Sequence, residues 1–253
     1  MNQILVFKTP EGLAGYAADL LVADIKGHRG GQKYRVALSG GSTPRLLYQA
    51  LRERDAVGEL LRDRVEFYFS DERAVGPECE QSNYRLANLE LFVPLGISAE
   101  SVFRMQGEAG DLEGEAARYE QVIRTRVGQG EDAAPQFDLI FLGMGPDGHT
   151  ASLFPDFDFD GAEKQLIAAP YVSSQKGRRL TFTVELINRA RKVVFLVTGV
   201  NKGEALTKVL SSSIKGSNLP AGRIRATDTI WLLDRAAAEA LAGQEINGTM
   251  REC

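Results

Sequence analysis

Short β-like runs alternate repeatedly with longer amphipathic ones, and no other feature of the sequence constrains the fold as strongly. Candidate strands lie at Ile4–Phe7, Tyr34–Leu38, Val65–Ser70, Phe137–Met144, Lys192–Thr198 and Thr229–Leu233. Amphipathic stretches fall between or after them at 10–26, 44–55, 83–92, 112–128, 201–210 and 235–242. Runs such as "LIFLGM" and "VVFLV" are apolar at every position, as in strands covered on both faces. Alternation of this kind predicts parallel strands joined by helical crossovers. The expected fold is therefore α/β, an open, mainly parallel sheet with helices on both faces. There is no internal repeat and no low-complexity linker, so we read one domain over 1–253 with room for a small subdomain near its middle. The least regular segment is 155–180, and we read it as an active-site loop, because long loops in compact domains are usually functional or disordered.

Composition removes several classes of function. A chain of 253 residues with a net charge of −4 lacks the basic field of a non-specific nucleic-acid binder. No apolar run approaches the ~20 residues of a membrane helix. The first thirty residues alternate apolar and charged groups, so no signal-peptide core is read there. Cys79 and Cys253 lie far apart without a C-x-x-C partner and read as neither a zinc nor a redox site. The expectation is a cytoplasmic protein with no membrane or nucleic-acid partner and no evident obligate protein partner.

In open α/β sheets, ligands collect at the carboxyl ends of the strands, so the residues that follow each strand matter most. After Tyr34–Leu38 comes "SGGSTP". Gly40 and Gly41 permit close backbone approach, Ser42 follows, Thr43 suits a helix N-cap and Pro44 the first helical turn. Free N–H groups at such a turn form an anion site, although an ordinary tight turn uses the same residue types. After Val65–Ser70 comes "DERAV", in which Arg73 has the fork suited to a carboxylate, phosphate or oxyanion. Asp71 beside it, and Asn83 at the start of the next helical stretch, are supporting candidates. After Lys192–Thr198, Lys202 falls in the first turn of a predicted helix, where the macrodipole disfavours a cation. A shared anionic ligand explains that placement, and so does a solvent-facing side chain. Arg178 and Arg179 precede a possible strand "LTFTVEL" and add cationic candidates.

The fourth strand end reads "GMGPDGHTASLFP". Its first six residues satisfy the letters of a dinucleotide-binding loop. Such a loop would open a full helix and be followed ~20 residues later by a strand ending in an acid. Pro155 leaves only about six residues after Gly148, and Glu163, at the right spacing, has no strand before it. A dinucleotide reading therefore fails. His149, past a buried strand and flanked by Gly148 and Thr150, suits a general base near neutral pH. Asp147 could orient it or could simply form the turn. His28 sits in a polar connector and reads as uninvolved. With no second histidine or cysteine cluster near His149, no metal site is expected.

Taken together, "LSGGSTP", "SDERAV", "SNYRL", "FDLIFLGMGPDGHTASLFP", "RRLTFT", "VTGVNKGEAL" and "WLLDRAAAEAL" resemble the glucosamine-6-phosphate isomerase/6-phosphogluconolactonase family. The continuation T-A-S-L-F-P resembles its lactonase branch, since the isomerase branch has a different continuation ending in Asn-Glu-Pro. Two departures fall in the irregular segment: Asp156 stands where the pattern has Gly, and "QKGRRLT" replaces a proline-rich approach. The resemblance implies a modified Rossmann-like fold and hydrolysis of 6-phospho-D-glucono-1,5-lactone to 6-phosphogluconate in the pentose phosphate pathway, without metal or organic cofactor. It implies a small-molecule sugar-phosphate partner. On this basis the substrate phosphate would rest on Gly40, Gly41, Ser42 and Thr43, neutralised by Lys202 and more weakly by Arg179. His149 would activate water, Asp147 would orient it, and Arg73 would serve the oxyanion or the product carboxylate. An isomerase or deaminase of amino-sugar phosphates and a non-catalytic sugar-phosphate binder are the alternatives.

Overall fold

The computed structural model describes residues 3–29, 31–128, 134–162, 165–174, 176–211 and 219–253; Glu163 lies outside them. The strands are β1 (Gln3–Phe7), β2 (Tyr34–Leu38), β3 (Val65–Phe69), β4 (Asp71–Arg73), β5 (Leu139–Gly143), β6 (Ile167–Ala168), β7 (Tyr171–Ser173), β8 (Gly177–Phe182), β9 (Lys192–Val197), β10 (Asp228–Asp234) and β11 (Thr249–Glu252). The helices are α1 (Pro10–Gly27), α2 (Ser42–Arg52), α3 (Val57–Arg64), α4 (Asn83–Ala87), α5 (Val93–Leu95), α6 (Leu112–Arg126), α7 (Val184–Asn188), α8 (Gly203–Leu210) and α9 (Arg235–Ala238). A π-helical turn over Asn88–Phe92 joins α4 to α5.

The main sheet runs β11-β1-β10-β9-β5-β2-β3, and every neighbouring pair in it is parallel. Successive side chains of a strand point to opposite faces, and each face has its own apolar cluster. Ile230 and Leu232 of β10 pack with Leu13 and Leu21 of α1 and Leu47 of α2. Trp231 and Leu233 pack on the other side with Tyr119 and Ile123 of α6 and Leu206 of α8. Each large apolar side chain removed from water contributes roughly 1.5–3 kcal/mol. Both faces of a central strand are covered in this way, which accounts for the unbroken apolar runs in the sequence.

Strand order also fixes where a ligand can sit. From β2 the chain passes outward to β3, whereas from β5 it passes the other way to β9 and β10. The adjacent carboxyl ends of β2 and β5 are therefore the switch point, where the following loops diverge and leave a crevice.

Several expectations are corrected. The first strand begins at Gln3, the β5 strand is confined to Leu139–Gly143, and the second helix spans Ser42–Arg52 rather than 44–55. Ser70 does not continue β3. Its N–H donates to the Leu38 carbonyl (2.8 Å) and its carbonyl accepts from the Phe182 N–H (2.7 Å), so it links the main sheet to a second one. That second sheet, β4-β8-β6 with β7 paired to β8, is antiparallel. Its strands β6, β7 and the start of β8 fall within 155–180, which is thus not a single irregular loop. The strand written as "LTFTVEL" begins earlier, at Gly177, and contains both Arg178 and Arg179. It stops at Phe182 because the Thr183 hydroxyl caps α7. Thr43 is not a helix cap: α2 starts at Ser42 after Gly41, and the Thr43 hydroxyl bonds instead to that of Thr198 (2.8 Å). Cys79 and Cys253 are free thiols. Among the described residues no helix is long and apolar enough to cross a membrane.

Candidate active site

At the switch point lies a cavity of about 210 Å³, lined by Gly40 and Gly41 after β2, by Asp71 and Arg73 of β4, and by Asn83, Gly145, His149, Ala151 and Lys202 among others. Four segments distant in sequence meet here because each follows, or lies beside, the carboxyl end of a central strand.

His149 is held by its own loop. Gly148 takes φ 78°, a left-handed conformation that favours glycine. The Gly145 N–H donates to the His149 carbonyl (2.9 Å), the Gly148 N–H to the Gly145 carbonyl (3.0 Å), and the Thr150 hydroxyl to the Gly143 carbonyl (2.8 Å). The imidazole lies so close over Gly145 that a Cβ there would stand 2.0 Å from Nδ1. The Asp147 carboxylate lies 2.5 Å from His149 Nδ1 and also accepts from the His149 backbone N–H (3.2 Å). With the Nδ1 proton given to Asp147, Nε2 carries the free lone pair. The ring stacks on Phe154 at 4.3 Å between centroids.

Burial pushes the His149 imidazole below its ordinary value of 6.5, although the hydrogen bond and charge of Asp147 act the other way. For Asp147 burial acts upward, but the hydrogen bond and charge of His149 prevail and its carboxyl lies below the usual range. The pair at neutral pH is thus a neutral imidazole beside a carboxylate, the form a general base requires.

The cationic groups are less tightly held. Lys202 ends a 3₁₀ turn immediately before α8, where its backbone N–H donates to the Gly199 carbonyl (3.1 Å). Burial lowers its ammonium pKa, opposed by Asp147. The Arg73 guanidinium donates to the Gln81 carbonyl. Arg179 is the register partner of Arg73 across β4 and β8, so the two side chains share one face. Burial, and then the charge of Arg73, lower the Arg179 pKa. Arg179 does not line the cavity, nor do Ser42 and Thr43. Ser42 faces an adjoining cavity that shares Gly41, Arg73 and Asn83 with the first, while Thr43 is buried against Thr198.

A buried acid arranges this wall. Glu72, 2% exposed, accepts from the N–H groups of Arg73, Asn83 and Tyr84 (2.8 Å each) and from the Ser82 hydroxyl (3.0 Å). It ties β4 to the start of α4. Burial pushes its carboxyl up, while those N–H donors act downward. The adjacent Asp71 accepts from the Asn83 side-chain amide (3.0 Å) and the Ser152 hydroxyl (2.7 Å). Asn83 in turn packs over Gly40, where a Cβ would stand 1.7 Å from its amide oxygen. Glu72 and Ser152 were not among the residues singled out in the sequence. Ser152 lies within the "TASLFP" continuation, whereas three of the four partners of Glu72 lie ten to twelve residues away and leave no local signal.

Known proteins resemble this chain in sequence and fold. The profile of the family described as glucosamine-6-phosphate isomerases/6-phosphogluconolactonase matches residues 8–231. The 6-phosphogluconolactonase of Synechocystis sp. is 39% identical over 208 residues, covering 81% of this chain and 84% of that one. The 6-phosphogluconolactonase of Rattus norvegicus is 35% identical over 94% of this chain and 93% of its own. The solved structure of 6-phosphogluconolactonase from Trypanosoma brucei superposes with a TM-score of 0.80 at 27% identity, covering 95% of this chain and 99% of that one. The chain belongs to the glucosamine-6-phosphate isomerase/6-phosphogluconolactonase family.

Proposed function

We propose that the protein is a 6-phosphogluconolactonase, one domain that hydrolyses 6-phospho-D-glucono-1,5-lactone to 6-phosphogluconate in the cytoplasm. The observation that carries this is the Asp147–His149 pair at 2.5 Å, set on a cavity that also holds Arg73 and Lys202. Relatives named for this activity support it, as does the T-A-S-L-F-P continuation, which has no glutamate between Thr150 and Pro155.

In this mechanism His149 Nε2 takes a proton from water as the water oxygen attacks the lactone carbonyl carbon. Asp147 holds the imidazole and stabilises the imidazolium that forms. Arg73 faces the negative charge that grows on the carbonyl oxygen and then the product carboxylate, and Arg179 strengthens the positive field beside it. Collapse of the intermediate breaks the bond from the carbonyl carbon to the ring oxygen, and the imidazolium returns its proton to that oxygen. The acid formed ionises to solvent. The substrate phosphate sits on the N–H groups at the start of α2, from Gly40 to Thr43, with Lys202 as its counter-charge.

Lactone hydrolysis followed near neutral pH, with the spontaneous rate subtracted, tests this function. Lys202→Ala is expected to raise KM about tenfold to a hundredfold, the effect of losing a charged hydrogen bond, with kcat nearly unchanged. A selective loss of kcat would remove Lys202 from the phosphate site. Ammonia release from glucosamine 6-phosphate by the wild type would instead favour the deaminase activity.

A further inference from the structure

Asp147 lines a second cavity, of about 340 Å³, together with Phe154, Phe157, Tyr171 and Lys176 among others. Lys176 comes from the turn between β7 and β8, where its backbone N–H donates to the Ser173 hydroxyl (3.1 Å). Its ammonium lies 3.6 Å from Asp147 Oδ2, the oxygen that His149 does not use, and 4.0 Å from the centroid of the Phe154 ring. Phe154 is the ring on which His149 stacks, and Asp147 is the carboxylate that His149 hydrogen-bonds. One cation thus touches both groups that hold the imidazole.

We propose that Lys176 is a positioning residue, which fixes Asp147 and Phe154 around His149 and keeps the imidazole unprotonated at lower pH. This rests on His149 as the base, as described above. A cation shared with the carboxylate weakens the pull of Asp147 on an imidazolium and repels the imidazolium directly, so both effects have the same sign. The other charged groups facing the imidazole are Asp147 from its own loop, Asp71 and Arg73 from β4, and Lys202 ahead of α8. Asp147 and Asp71 favour the imidazolium, and Lys176 opposes it. The Lys176 side chain is 44% exposed, so its effect is screened by salt.

The chain has two histidines, His28 and His149, so ring-proton NMR resolves the titration once His28→Gln identifies the other signal. In Lys176→Met the His149 midpoint is expected to move to higher pH, with the acid limb of kcat/KM moving the same way. Lys176→Arg is expected to restore the wild-type midpoint. A midpoint that is the same in Lys176→Met and wild type overturns the proposal. Failure of His149 as base is distinguishable: the midpoint would move in Lys176→Met while the pH-rate profile stayed fixed.

Discussion

At the scale of single residues, the site depends on close approach more than on any one charge. Gly145 lets the imidazole lie on the backbone, and Gly40 lets the Asn83 amide close over the β2 turn; a methyl group at either would collide. His149 is pushed below 6.5 by burial, which fixes the sign of the pH dependence. The neutral base predominates above its lowered pKa, so kcat/KM is expected to rise with pH through a midpoint below 6.5. A pH-rate profile on the lactone checks this, and a midpoint above 6.5 would contradict the burial argument. The same shift bears on stability. Unfolded histidine binds a proton at higher pH than the native one does, so this residue's contribution is destabilising as pH falls through 6.5. The position of His149 at a strand's carboxyl end was legible because strand end, glycines and histidine are contiguous. The placement of Arg179 beside Arg73, outside the cavity lining, was not legible, because only the β4–β8 register brings the two together.

At the scale of elements, the seven-stranded sheet is stitched to the smaller one through Ser70, and the smaller one to α4 through Glu72. Glu72 satisfies four donors from β4 and the start of α4. Glu72→Gln turns one acceptor oxygen into a donor facing donors, so it is expected to cost about 1–3 kcal/mol of stability. Urea unfolding reads that cost, and an unchanged midpoint would show that Glu72 does not organise this wall. Parallel strands β2, β5, β9 and β10 could be read from the sequence because burial on both faces leaves their central positions apolar. The strands β4, β6 and β7 could not. They are two or three residues long, and only their partner β8 makes them strands. β11 is exposed at all four positions and hidden for the same reason, since its pairing with β1 alone defines it.

At the scale of the whole molecule, strand order converts local signals into a site. The reversal between β2 and β5 brings the Gly40 turn and the His149 loop side by side, although 109 residues separate Gly40 from His149. Parallel-sheet topology was legible from the alternation of runs; the strand order, and hence the meeting of these segments, was not, because pairing between distant strands leaves no local trace. The second sheet then supplies Asp71 and Arg73 as the facing wall. In the proposed function this assembly presents one neutral imidazole to a water molecule. The most direct measurement is kcat for lactone hydrolysis by His149→Ala, with spontaneous opening subtracted. A loss of about 10²- to 10⁴-fold with little change in KM is expected for removal of a general base. Turnover equal to that of the wild type would contradict it.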